Sequence, residues 1–90
     1  MCSSDLGAVA PNVYTLSGTG MTPSGLVELH TIYTPALGNP PNVVPTTTWL
    51  ADASGNVTAS ATDDQAGTYE HWLLDLTSGV STNHVIQAVP

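Results

Sequence analysis

The chain has 90 residues, one cysteine, no Lys or Arg, seven acidic residues and three His, for a net charge of −7. That length allows one small domain, and the lack of any cation excludes nucleic acid as a partner, because phosphate binding relies on Lys and Arg to displace counterions. An anionic membrane surface is excluded on the same ground. With 8% charged residues, the surface is kept wet by thirteen Thr, eight Ser and the Asn, a composition that suits a chain outside the cell. No apolar run approaches the length of a membrane span, and no basic, apolar leader is visible, so direct membrane insertion is not expected.

Residues 1–6, Met-Cys-Ser-Ser-Asp-Leu, coincide with the translation of a common sequencing-adapter end whose GTG is taken as a start codon. They are set apart from the native chain; the alternative is a flexible native N terminus. Either way residues 1–10 read as a tail and 11–90 as the domain, and Cys2 is given no function.

From Pro11 onward, short runs rich in Val, Thr, Tyr, Ile and Leu alternate with Gly, Pro, Asn and Asp clusters, and no segment keeps a helical apolar period. Strands are expected near 12–17, 25–33, 46–51, 56–62, 68–76 and 83–89, with a seventh short one in 19–22 or 41–44. Asp52-Ala53-Ser54-Gly55-Asn56 and Thr77-Ser78-Gly79 each offer a Gly able to take positive φ beside side chains that bond their own backbone, and both read as tight hairpins. The segment 34–45 holds four prolines and reads as a long loop or an edge, the best place for a contact surface through Pro40, Pro41, Val43 and Val44. Strands of this number and length predict an all-β sandwich of about seven antiparallel strands in two sheets.

The histidines, His30, His71 and His84, lie on three different expected strands without His-x-His spacing, so no metal or catalytic cluster is expected. Asp63 and Asp64 are weak calcium candidates at a loop that lacks the Asp/Asn/Gly alternation of a calcium site. No Gly-x-Ser-x-Gly elbow, phosphate loop or oxyanion-holding cation is present, which points away from an enzyme. Asn56-Val57-Thr58 is a glycan acceptor sequon, and Thr46, Thr47 and Thr48 beside the prolines have the composition of an O-glycan site. No other cofactor is expected.

Alternation along 68–76 leaves two registers open. With Tyr69 inward, His71 and Leu73 follow it and Trp72 and Leu74 form a sticky outer patch; with the register inverted, Trp72 is core and His71 exposed.

The sequence 16–29, with Gly18-Thr19-Gly20 and Pro23-Ser24-Gly25, then Asp52-Ala53-Ser54-Gly55-Asn56, then Gly67-Thr68-Tyr69, then Asp75-Leu76-Thr77-Ser78-Gly79, resembles bacterial extracellular immunoglobulin-like repeats over 11–89. The resemblance implies that Tyr69, following Gly67, ties the preceding loop to the sheet through its hydroxyl, and that Trp49 with neighbouring aliphatic residues forms the core. The family's isopeptide lock has no counterpart, since the chain has no lysine. It further implies a non-catalytic bead of a surface fibre, stalk or filament whose partners are other copies of itself, as a homo-polymer or tandem array. Pro11 and Pro90 mark the module ends, and a neighbour's segment 7–15 is the candidate donor strand. The alternatives are a polysaccharide-binding module that stacks sugar on Trp72, Trp49 or Tyr33, and a phage decoration or tail domain.

Overall fold

Branched and aromatic side chains fit a pleated surface buried on one side, and here they fold as strands throughout. The computed structural model describes residues 3–10, 13–36, 38 and 40–89; Met1, Cys2, Pro11, Asn12, Leu37, Asn39 and Pro90 lie outside the described residues. The chain runs β1 (Ser3–Ala10), β2 (Val13–Thr19), β3 (Leu26–Pro35), β4 (Asn42–Leu50), β5 (Val57–Thr62), β6 (Gly67–Asp75) and β7 (Val85–Val89), and no helix occurs among the described residues. Every pairing is antiparallel. One sheet has the order β1-β2-β5 and the other β4-β3-β6-β7.

The two sheets pack face to face as a sandwich-like all-β fold. Leu16 of β2 with Val57 and Ala59 of β5 meet Val27 and Leu29 of β3 and Leu73 of β6, and Met21 and Ala51 close the cluster. Strict alternation selects these residues: in β6, Tyr69, His71, Leu73 and Asp75 all face inward. Complete burial of Leu73 is worth roughly 2 to 3 kcal/mol.

Three expectations are corrected. The segment 3–10, read as a tail, pairs with β2 from Ser3↔Thr19 to Ala10↔Val13, because main-chain hydrogen bonding needs no strong strand former. The proline-rich segment, read as a long loop or an edge with 41–44 as one place for a seventh strand, is edge strand from Asn42 onward, continuous with the strand expected from 46. Pro45 is tolerated because β4 is an edge strand and the register shifts between the pairs Leu29↔Thr47 and Thr31↔Val44, a bulge where the missing N–H leaves no central ladder bond unmade.

Asp52–Asn56, read as a hairpin, instead carries the chain from β4 in one sheet to β5 in the other. Its geometry is a self-bonded turn: Asp52 Oδ1 accepts the N–H groups of Ser54 and Asn56, both at 2.9 Å, and Gly55 takes φ 81°. Trp49, expected to form the core with neighbouring aliphatic residues, is only partly buried and packs against the core from the edge strand, with Nε1 donating to Thr47 Oγ1.

Candidate functional site

Two groups of side chains stand out, one between the sheets and one on the outer face of the four-stranded sheet. Between the sheets, His71 of β6 is 1% exposed and hydrogen-bonds on both ring nitrogens: Nε2 lies 2.7 Å from Asp63 Oδ2 and Nδ1 2.8 Å from Thr31 Oγ1. Asp63 is equally buried, as the first residue after β5, and Thr31 comes from β3. The three therefore link β3, β6 and the end of β5 by a chain of hydrogen bonds. Tyr69 stacks against His71, with ring centroids 6.1 Å apart, and its hydroxyl accepts the Gln65 N–H at 3.0 Å. Burial raises the Tyr69 pKa, against the lowering effect of that bond.

Beside this chain lies a cavity of about 230 Å³ where the edges of β4 and β5 face each other, lined by Val44, Pro45 and Thr47 on one side and Ser60, Ala61 and Thr62 on the other, with Thr31, Asp63 and His71 at its wall. The order Thr–His–Asp is that of a nucleophile, base and acid. Acyl transfer also needs hydrogen-bond donors aimed at a developing oxyanion, a role that backbone N–H groups and neutral side chains fill.

A second buried carboxylate, Asp75, closes the opposite end of β6. Its Oδ2 accepts the Thr22 N–H at 2.7 Å and the Thr22 hydroxyl at 2.8 Å, and its Oδ1 accepts the Thr77 N–H at 3.0 Å. Burial alone would raise its pKa, but the bonds from Thr22, Ser78 and Thr77 outweigh burial and hold it at about 2.

On the outer face, antiparallel register sets His30 of β3 directly opposite Trp72 of β6, and His84, which precedes β7 rather than lying within it, reaches the other side of the indole. Both imidazoles stack on Trp72, with centroids 5.3 Å away for His30 and 4.2 Å for His84, and interplanar angles of 14° and 7°. Each imidazole is held by a carboxylate: His30 Nε2 by Glu28 Oε1 at 3.1 Å, and His84 Nδ1 by Glu70 Oε2. The His are thus not scattered, as their strand assignments suggested, because register gathers residues far apart in sequence. Among the described residues no three metal-ligating side chains converge, since the indole separates His30 from His84.

The remaining candidates fall as follows. Trp72 and Leu74 are half-buried on the outer face, alternating with the inward Tyr69, His71 and Leu73. Pro40, Pro41 and Val43 are exposed before and at the start of β4, and Val44 is half-buried at the cavity. Gly67 takes φ 143° at the start of β6, where a Cβ would meet the Thr34 carbonyl. Asn56, Thr46, Thr47 and Thr48 are exposed. Of the two weak calcium candidates, Asp64 is exposed, whereas Asp63 is buried and hydrogen-bonded to His71. Residues 7–10 and 13–15, read as a donor strand, already pair with each other as parts of β1 and β2. The Asp63–His71 pair carried no sequence signal beyond two polar residues eight apart, and the His30–Trp72–His84 stack none at all.

No family model and no curated protein matches the chain.

Proposed function

We propose that this chain is an immunoglobulin-like, non-catalytic structural module of an extracellular fibre, stalk or filament, acting through contacts with other copies of itself. The immunoglobulin-like reading is supported by the strand orders β1-β2-β5 and β4-β3-β6-β7, in which the third, sixth and seventh strands share one sheet and the first, second and fifth the other. The fourth strand lies beside the third rather than the fifth. The Tyr69 hydroxyl bonded to the backbone four residues upstream is the corner such sandwiches use.

One observation carries the functional part: inward polar groups are spent on each other, while large apolar side chains face outward. Leu26 and Leu50 pair across β3 and β4 at 52% and 65% exposure, Ile86 is 58% exposed on β7, and Leu74 and Trp72 lie between them. An outward apolar sheet face marks a contact surface. Open backbone groups on the sheet edges offer strand addition as a second route, blunted on β4 by Pro45. The composition, wet by Thr and Ser rather than by ion pairs, suits an extracellular setting. A sugar-stacking role for Trp72 gains no support, because imidazoles cover both faces of its ring.

Negative-stain electron microscopy over a concentration series tests the reading. Regular oligomers or filaments are expected, and single particles at every concentration and every pH tested would remove self-assembly.

A further inference from the structure

We infer that the free edge of β5, with the cavity between it and β4, is a docking groove for an extended peptide segment of a partner protein, neutral over the length of β5 and carrying a Lys or Arg at each end. This goes beyond contact between copies and does not depend on it.

The groove follows from a mismatch in sheet width. Four strands face three, and the core joins β2 and β5 to β3 and β6, so β4 has no strand opposite it. Register sets Trp49, Thr47 and Val44 of β4 across from the inward Val27, Leu29 and Thr31, and residues directly opposite share a face, yet none of the three on β4 is buried. The cavity of about 230 Å³ lies in this vacant place beside β5, with Leu29, Val44 and Ala61 as its apolar wall. It has room for an inward apolar side chain of an added strand, since roughly 150 Å³ already holds a benzene.

Main-chain chemistry identifies the occupant as extended peptide. Among the described residues β5 pairs only with β2, from Val13↔Thr62 to Gly18↔Val57 without a shift. Every second residue of an antiparallel strand turns both its N–H and its C=O away from the neighbour it has, so half of the six residues of β5 offer both groups to a further strand. Val57–Thr62 contains no charge, proline or bulge that guards this edge, whereas the edge of β4 has Pro45 and a bulge.

Charge selects the peptide. Asp52, in the crossover from β4 to β5, and Asp64, in the link from β5 to β6, are exposed carboxylates at the two ends of the edge. A strand with a cation at each end meets both, whichever way it runs. A second copy does not fit: it has no Lys or Arg, and antiparallel pairing of β5 with β5 brings the unopposed β4 strands of both copies into one place.

The test is a titration of the ¹⁵N-labelled full chain, followed by NMR at about 0.05 M salt, with the capped peptide Lys-Thr-Val-Thr-Val-Thr-Lys. Amide shifts confined to β5 and β4 are expected, with a dissociation constant of about 0.1 mM or tighter. The same peptide N-methylated at its three central residues should not bind. Asp52→Asn with Asp64→Asn keeps an acceptor for the Ser54 and Asn56 N–H groups and should weaken binding roughly three- to tenfold, its own spectrum reporting that the fold is intact.

No shifts at about 1 mM peptide, shifts centred on the outer face of the four-stranded sheet, or equal binding of the N-methylated peptide overturns the inference. So does a double variant that binds as tightly as the native chain, because charge then selects nothing. Shifts of the β5 amides on concentrating the chain without peptide overturn it in favour of a second copy.

Discussion

Asp75 shows how a single buried charge is made tolerable. It is 1% exposed, yet its two oxygens accept hydrogen bonds from Thr22 and Thr77 that tie β6 to the turn before β3. Because its folded pKa of about 2 lies below the roughly 3.9 of an unfolded aspartate, it adds stability above about pH 4, lost as pH falls toward 2. Asp75→Ala is expected to cost about 2 to 4 kcal/mol in urea unfolding at neutral pH, since it strands the Thr22 and Thr77 donors. Asp75→Asn keeps part of the network, and its stability should no longer fall specifically between pH 4 and 2. A native-like slope in that window assigns the effect to another carboxylate. Asp63 likewise supplies the hydrogen-bond partner of a buried polar group, His71 Nε2, at 2.7 Å. Asp63→Ala leaves the buried Nε2 without a partner and should cost roughly 1 to 3 kcal/mol, while Asp63→Asn, which can still accept, costs less. Equal melting temperatures for the two variants would show that this bond contributes nothing.

At the scale of the element, backbone conformation sets the turns. Ser24 is the one non-glycine residue with positive φ among the described residues, at 58°, in a turn closed by the Gly25 N–H on the Thr22 carbonyl at 2.9 Å. Position three of such a turn favours glycine, so Ser24→Gly should raise stability by up to about 1 kcal/mol, read as a higher urea midpoint at unchanged slope. A lower midpoint means that the serine makes a compensating contact.

The same physics explains what the sequence disclosed. The strand pattern of 68–76 was legible as an alternation, but its phase was not, because the inward set contains His71 and Asp75 while the outward set contains Trp72 and Leu74, and hydrophobicity alone favours neither. For residues 42–45 the prolines left loop and edge strand equally open, because an edge with a bulge makes no demand on the missing N–H. Residues 3–10 hid because Ser, Ala and Gly carry little strand preference and the pairing is made by the main chain. The two histidine groups were illegible for a different reason. His30, Trp72 and His84 meet only through the registers of β3, β6 and β7, which are properties of the assembled sheet and not of any segment.

On the scale of the whole molecule, the absence of Lys and Arg leaves histidine as the side-chain partner for carboxylates, and among the described residues the pairs are His30–Glu28, His71–Asp63 and His84–Glu70. The remaining carboxylates repel one another across a body of 41 × 25 × 18 Å, spacings at which about 0.5 M salt screens almost completely and 0.01 M hardly at all. Salt therefore separates this repulsion from the buried bonds: at about pH 8 and at protein concentrations too low for association, the urea midpoint is expected to be higher at about 0.5 M than at about 0.01 M salt. Below about pH 4 the midpoint falls at both salt concentrations, because Asp75 takes up its proton in the unfolded chain while its folded-state bonds are short, buried and little screened. A midpoint indifferent to salt at pH 8 would mean that the carboxylates are spaced widely enough to cost nothing.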